Sequence, residues 1–352
     1  MKKLAPIAAA VLACGAAHAQ SSVTVFGLLD VSLARFSGDG PSVTGVMTDG
    51  YQSSRLGFRG VEDLGGGLAG SFWLEAAINP DTGTGSATNS NNQASGSRGE
   101  VGLTFGRRST VSLSSETAGE LRLGRDYTPG FWNLSNFHPF GTNGVGSAGV
   151  LFYPVPSGAR LTNVRASNSI GYFLPRNLGG FYGQAMYAFG ENSSTAANPN
   201  DGRLTGARLG YAAGPVDVAV GYSKTTLTPV GGFTQTNIGG TYDLKVVKLF
   251  ALYGQNKVGA TRTKPWDVGA HVPFGAGVFR VAYGRVKATG VANDASQWTL
   301  GYVHNLSKRT ALYTNFSRID NRGTGTSFDV GSPVTTPGGQ SRGVELGIRH
   351  SF

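Results

Sequence analysis

The chain has 352 residues, of which 55 are Gly, and only 14% of its residues are charged, against roughly 25% in an ordinary soluble domain. The 10% of aromatic residues argues against intrinsic disorder, and the lack of a three-residue Gly period excludes collagen. No run of eighteen apolar residues exists that could form a transmembrane helix, and long helices tolerate scattered Gly poorly, so the composition predicts a large all-β protein.

The first nineteen residues have the pattern of an export signal. Lys2 and Lys3 precede an apolar run over residues 4–17, and Ala17-His18-Ala19 offers the small residues that signal peptidase requires. We expect residues 1–19 to be a cleaved signal peptide and residues 20–352 to form one β-barrel domain. An alternative, lipid attachment at Cys14, lacks the usual residues upstream. The mature chain then has no cysteine and carries 28 basic and 20 acidic residues, a net charge of +8.

Apolar residues alternate with Gly, Ser, Thr or charged residues along most of the mature chain, which is the signal for β-strands. The clearest case is the end of the chain. There the apolar residues Val344, Leu346 and Ile348 alternate with residues that are glycine or charged: Gly343, Glu345, Gly347 and Arg349. Sixteen segments show this pattern: 22–35, 51–61, 68–78, 98–106, 109–125, 166–175, 181–190, 203–213, 216–226, 235–244, 247–258, 264–273, 277–288, 296–306, 310–320 and 341–352.

The connections between these segments alternate between short turns and long polar loops. Gly214-Pro215 is one of the short turns, and 79–97, 126–165 and 321–340 are the longest loops. A soluble sandwich gives the same alternation within strands but does not sort its connections in this way. Segments of about ten residues fit tilted strands that cross a bilayer, and aromatic residues near their ends fit interfacial girdles. The pattern therefore predicts a transmembrane antiparallel β-barrel of sixteen strands, with short periplasmic turns and long external loops.

Several sequence blocks resemble the Gram-negative general porins, most closely the betaproteobacterial porins with their anion-selective members. The blocks are residues 22–27, 54–68, 123–129, 301–310 and 347–352. The resemblance covers essentially the whole mature chain and implies a sixteen-stranded outer-membrane barrel that assembles as a homotrimer. It also implies a third external loop folded into the lumen, and a terminal Phe352 that the insertion machinery reads as an assembly signal.

The longest loop, residues 126–165, is unusually apolar for a connection of forty residues. Its apolar residues are Phe131, Trp132, Leu134, Phe137, Phe140, Val150, Leu151, Phe152, Tyr153 and Val155. A loop of this composition should pack against protein rather than extend into water. It fits a constriction loop inside the barrel; the alternative is a lid or a loop that contacts another protomer.

Arginine residues on the neighbouring strands are the candidates that face this loop. Arg55 and Arg59 share one parity, opposite to Leu56 and Phe58, and should point into the lumen. The resemblance carries over Arg55 and Arg165 as pore residues and places a third pore arginine at Arg107. Alternation with Val111 and Leu113 instead directs Arg108 inward, so both remain candidates unless a bulge shifts the register.

The loop residues 127–165 contain no Asp or Glu, whereas Arg160 and Arg165 are present and Asp126 stands at the loop start. Uncompensated guanidinium groups in a narrow throat raise the local concentration of anions and repel cations. We therefore expect an anion-preferring diffusion pore for small hydrophilic solutes, with chloride, phosphate and small organic acids as passengers. If the channel proves cation-selective, acids such as Glu75 or Asp126 control the constriction.

Other functions have little support in the sequence. The histidines of the mature chain lack a nucleophile elbow or paired acid, and no cofactor, metal-ligand or nucleic-acid motif is present, so we expect no enzyme activity. Calcium binding by the Asn/Asp-rich stretches 79–97 and 198–201 is a weaker alternative to plain solvated loops. A channel specific for one organic anion and an adhesin-type or structural barrel remain as alternatives. The expected partners are a second and third copy of the chain, outer-membrane lipid and lipopolysaccharide.

Overall fold

The computed structural model describes residues 22–99, 102–154, 162–290 and 293–352. The expected signal peptide lies outside these residues. The described part is almost entirely β-structure, with two short helices in one loop, α1 (Pro129–Phe137) and α2 (Gly149–Phe152). The strands are β1 (Ser22–Gly38), β2 (Val43–Thr48), β3 (Arg55–Gly65), β4 (Leu68–Ala77), β5 (Thr88–Asn89), β6 (Ser97–Arg98), β7 (Arg108–Ser115), β8 (Gly119–Tyr127), β9 (Arg165–Phe173), β10 (Phe181–Ala188), β11 (Leu204–Ala213), β12 (Val216–Thr225), β13 (Phe233–Asp243), β14 (Lys248–Val258), β15 (Thr261–Phe274), β16 (Gly277–Thr289), β17 (Asp294–Asn305), β18 (Thr310–Arg322) and β19 (Gln340–Ser351).

One antiparallel sheet closes on itself to form the barrel. On one side, residues Leu28 to Gly38 of β1 pair with β19. On the other side, the first half of β1 pairs with β3 and the second half with β2. Because β2 and β3 share one position around the barrel, the seventeen strands of the sheet make a sixteen-position closure. At the seam, the backbones of Gly27 and Phe352 exchange two hydrogen bonds of 3.0 and 3.2 Å. The predicted sixteen-stranded barrel is confirmed.

Two of the predicted strands were wrong in their bounds, and the two errors cancel in the count. Residues 102–107 form no strand, although 98–106 was predicted as one, and 109–125 is two strands. The sequence also places a turn at residues 115–119, and this turn is confirmed: it joins β7 to β8. Apolar and polar residues alternate in 102–107 because this segment lies against the outside of the barrel. Phe105 packs edge-on against Phe58 of β3, with ring centroids 6.2 Å apart. Gly119 has φ +88, and a Cβ there would lie 2.2 Å from the Phe173 carbonyl oxygen.

The two faces of the barrel wall have opposite chemistry. Outward residues such as Leu33, Val218 and Leu346 are exposed and apolar. Inward residues are often polar and buried, as Gln235 and Asn315 are. A closed sheet satisfies its own backbone donors and acceptors, which is what the bilayer interior requires. No helix within the described residues is long and apolar enough to cross a membrane. The expectation that aromatic residues near strand ends form outer girdles is wrong for two of them: Trp73 faces the lumen, where its Nε1 donates to Glu75, and Phe173 lies against the inward Arg122.

Candidate functional site

The loop between β8 and β9 folds into the barrel, and its first half lies against the lumen faces of β11 to β14. Asn133 of α1 is fully buried: its Nδ2 donates to the Ala219 carbonyl (3.2 Å) and to Asn237 Oδ1 (2.9 Å). Asn237 Nδ2 in turn donates to the Gly130 carbonyl at 2.9 Å. Phe137 packs against Gly239 of the wall. A Cβ atom at position 239 would lie only 2.8 Å from the Phe137 ring, so a larger residue there would displace the helix. The helix is therefore fixed to the wall by both hydrogen bonds and packing.

The loop continues along the wall to β19 before it turns back. His271 Nε2 of β15 donates to the Pro139 carbonyl at 2.7 Å. At the turn, the Val145 N–H donates to Glu345 Oε1 (3.4 Å), and Gln297 Nε2 donates to the Val145 carbonyl (3.1 Å). On the return, Asn256 Nδ2 donates to the Phe152 carbonyl at 2.7 Å. Strands β11 to β19 are thus covered by the loop, and the opposite wall stays bare.

The bare wall presents three arginines around one tyrosine and one carboxylate. Arg107 Nη2 and Arg165 Nη2 donate to the Tyr127 hydroxyl oxygen at 2.9 and 3.0 Å, and the Arg165 guanidinium lies 4.5 Å from the Tyr127 ring centroid. Glu75 Oε1 lies 2.5 Å from Arg107 Nε and 3.6 Å from Arg55 Nη1. These contacts hold the three guanidinium groups at one level of the lumen.

A cavity of about 560 Å³ separates this wall from the loop. Its lining includes Arg55, Arg107, Tyr127 and Arg165 on the wall side and Phe131, Trp132, Asn143 and Ser147 on the loop side. We call this space the throat. It combines charge on one side with an apolar and backbone-rich surface on the other.

Both arginines of the Arg107–Arg108 pair face the lumen. Arg108 pairs in register with Glu75 and points inward, as alternation predicts, and its guanidinium lies 4.7 Å from the Trp73 ring centroid. Arg107 stands just before β7, outside the ladder, where its N–H donates to the Glu75 carbonyl and its side chain turns into the throat. The two placements are compatible because the strand begins between the two residues.

Asp49 also lines the throat, from the connection between β2 and β3. Its Oδ1 accepts the Ser54 N–H at 2.6 Å. With Glu75 and Asp49 ionised, three guanidinium groups face two carboxylates, a formal excess of +1. The expected ring of uncompensated arginines therefore needs correction, because a wall carboxylate neutralises part of it.

The other predicted residues lie at other levels of the same wall or elsewhere. Asp126 is bound by Arg122 (2.5 Å) and Arg108 (3.7 Å), so its charge is balanced by groups outside the throat lining. Arg59 points inward, and its guanidinium lies 5.3 Å from the Phe26 ring centroid and 5.4 Å from that of Trp73. Arg160 falls in the stretch 155–161 and lies outside the described residues.

Sequence reasoning missed Tyr127 and Asp49. Tyr127 directly follows the predicted Asp126, and its position at the loop start was the available signal. The sequence contains no such signal for Asp49. Its position depends on a left-handed backbone conformation, with φ 65, in a connection that has no strand pattern. Among the residues that the structure describes, no group of three or more His, Cys, Asp or Glu side chains is placed to hold a metal ion.

Comparison with known proteins gives one consistent family. A family model described as Gram-negative porin matches residues 7–324. The outer membrane porin protein 32 of Delftia acidovorans is 38% identical, over 100% of both chains. The solved structure of the anion-selective porin from Comamonas acidovorans is 37% identical, with TM-score 0.81 over 94% of this chain and 100% of that one. A trimer form of OmpT from Vibrio cholerae shares the fold at 14% identity, with TM-score 0.65 over 94% and 99%.

Proposed function

The chain belongs to the Gram-negative porin family and forms a diffusion channel in the outer membrane, and we propose that the throat of this channel prefers small anions to cations. The observation that carries the proposal is the cluster of Arg55, Arg107 and Arg165 on one wall of the throat. The 37% identical porin from Comamonas acidovorans is itself named anion-selective, which supports the same direction.

The throat selects by its field rather than by closing around one solute. The guanidinium groups are held by Tyr127 and Glu75, so they keep their positions when an ion passes. The loop side adds no carboxylate to the lining, so the field points from one wall to the other. Fixed charges of this kind raise the local concentration of counter-ions in a narrow channel. Chloride, phosphate and small organic acids are the solutes that fit this chemistry.

A second candidate is a channel that prefers organic anions over inorganic ones of the same charge. The supporting observation is the aromatic part of the lining: the rings of Tyr127 and Phe131 stack 4.9 Å apart, and Trp132 lies edge-on to Tyr127 at 5.2 Å. Apolar surface beside guanidinium groups favours carboxylates that carry a hydrocarbon body, because the rings bury the apolar part while the guanidinium groups bind the carboxylate. Permeability ratios of acetate and benzoate to chloride would distinguish this channel from a general one.

We also propose that the barrel self-associates as a trimer and contacts outer-membrane lipid and lipopolysaccharide. A related fold, OmpT of Vibrio cholerae, has been solved in a trimer form. The broad apolar outer wall supports contact with lipid and with other barrels alike. Cross-linking of the protein in native membranes would report the assembly directly.

Single-channel recording in a tenfold KCl gradient tests the anion preference. The wild-type protein should give stable conductance steps and a zero-current potential that reports chloride over potassium, and Arg165→Gln should reduce that preference. Arg318→Gln is the matched control, because Arg318 lies on the outer wall in an ion pair with Asp320 at 2.8 Å. A wild-type channel that prefers potassium refutes the proposal, and an absence of conductance steps favours a structural or adhesin-type barrel.

A further inference from the structure

Five basic residues form a cluster on the outside of the barrel at the loop-bearing end of β14, β15 and β16. They are Lys257, Arg262, Lys264, Arg285 and Lys287, and we call them the basic cluster. Each alternates with a buried inward residue such as Asn256, Thr263 or Val286, so each points outward. The register brings like charges together: Lys257 is opposite Arg262, and Lys264 is opposite Lys287.

Within the described residues, no member of the cluster is in an ion pair or side-chain hydrogen bond. The outward acids on the next two strands, Asp294 of β17 and Asp320 of β18, form no ion pair with the cluster in the described part of the chain. Asp294 accepts the Ala288 N–H at 2.9 Å, and Asp320 is held by Arg318 at 2.8 Å. Like charges on directly opposite strand positions destabilise a sheet unless an anion compensates them. The arrangement therefore points to an anionic ligand on the outer face.

An open apolar groove begins directly below the basic cluster on the same outer face. It has a volume of about 1120 Å³. Small residues form its floor, with Gly240, Ala251 and Ala270 on three adjacent strands. Large residues form its sides and upper end: Val218, Ile238, Tyr253, Trp266, Tyr283 and Trp298.

The vertical order of these groups matches a lipid of the outer leaflet. Trp266 lies two residues along β15 from Lys264 and is level with Arg285, so the aromatic residues lie at the lower edge of the charges, and the groove continues to Ala270. Aromatic side chains of this kind mark the headgroup level of a membrane barrel. From Lys264 to Ala270, six residues of strand span about 20 Å along the strand, enough for phosphate at one end and acyl chain at the other.

We propose that the outer face of β14 to β16 binds a phosphorylated, multiply acylated lipid of the outer membrane, with its phosphate on the basic cluster and an acyl chain in the groove. This deepens the lipid contact proposed above by giving it a site, and it does not depend on the anion preference of the throat. A phosphorylated lipid complements five cations that form no ion pair with any described residue and lie above an apolar groove, whereas a second copy of the chain would bring the same cations.

The test is native mass spectrometry of the purified protein, from detergent, with added diphosphorylated lipid A. The wild-type protein should retain one lipid A per protomer. Lys264→Gln with Lys287→Gln should weaken binding by about thirty-fold, since each basic side chain near an anionic lipid contributes about fivefold. Arg35→Gln with Arg342→Gln is the control, because both are outward basic residues of the same rim, on β1 and β19.

The groove is tested separately by Ala251→Trp, which fills its floor on a lipid-exposed face. This variant should reduce the binding of lipid A while leaving the conductance and the zero-current potential unchanged, which separates this site from the throat. Equal binding of the deacylated, phosphorylated disaccharide would show a phosphate site without a lipid groove and overturn the proposal. Equal lipid retention by the double variant and its control would also overturn it. A change of oligomeric state in Ala251→Trp would identify the groove as a contact between copies instead.

Discussion

Glu75→Gln is the most informative change in the throat, because Glu75 is the carboxylate that binds two of its three arginines. Its Oε1 contacts Arg107 Nε at 2.5 Å and Arg55 Nη1 at 3.6 Å. The amide keeps the shape of the side chain and an oxygen that accepts from Arg107. The formal charge of the throat then rises from +1 to +2. The channel should become more selective for anions.

The size of the effect follows from Coulomb's law for an ion that passes through the water-filled throat. A unit charge about 6 Å from a passing ion, at a dielectric constant of about 80, changes the energy of the ion by about 0.7 kcal/mol. The change favours chloride and disfavours potassium, so the permeability ratio should rise by about 1.4 kcal/mol, or about tenfold. The gain should shrink at 1 M salt, where the Debye length falls to about 3 Å.

The assay is the zero-current potential in KCl gradients of 0.1 M to 0.01 M and of 1 M to 0.1 M. Glu120→Gln is the control, since Glu120 also pairs with an arginine, Arg122 at 2.9 Å, but near the opposite end of β8. The control should shift the potential much less. A ratio that is unchanged at low salt, or that moves toward potassium, would refute the electrostatic account of the throat.

Three further changes probe other parts of the molecule. Asp49→Asn removes a carboxylate from the throat lining and should raise the preference for chloride at pH 7. An unchanged zero-current potential in this variant would show that Asp49 does not act on the passing ion. Asn133→Ala removes the side chain that bonds Ala219, Asn237 and Arg208, at a cost of about 1–3 kcal/mol in the free energy of unfolding. The loosened loop should raise open-channel current noise, and noise equal to that of wild type would show that packing alone holds α1. Deletion of Phe352 removes the two backbone bonds to Gly27 at the seam and should lower the yield of heat-modifiable barrel on electrophoresis, whereas Phe352→Tyr should keep it.

Strand number and architecture were within reach of the sequence because a membrane barrel repeats one simple rule along its whole length. Outward residues must be apolar and inward ones need not be, so alternation marks nearly every strand. The rule fails where the chain leaves the ladder but still covers apolar surface. Leu103 and Phe105 alternate like a strand although residues 102–107 lie outside the sheet, since Phe105 packs on the outer face of Phe58. Pattern alone cannot tell a strand from a segment that lies on one.

The throat was predictable in part, for a similar reason. Parity placed Arg55, Arg59 and Arg108 in the lumen, and the inward loop was expected from its apolar composition. Parity says nothing about height or pairing, so it could not reveal that Glu75 neutralises Arg107 and Arg55. Asp49 enters the throat through one left-handed backbone position, a feature that no periodic pattern encodes.

The loop occupies one side of the barrel and leaves the arginine wall bare, and this division has an evolutionary consequence. The side that covers β11 to β19 is held by many interlocking contacts, where most substitutions cost stability. The bare side sets the charge of the throat with a handful of side chains, which can be exchanged without repacking the loop. A lineage can therefore change which ions it admits by a few substitutions on β3, β4 and the start of β9, while the pore keeps its shape and the barrel keeps its ability to fold.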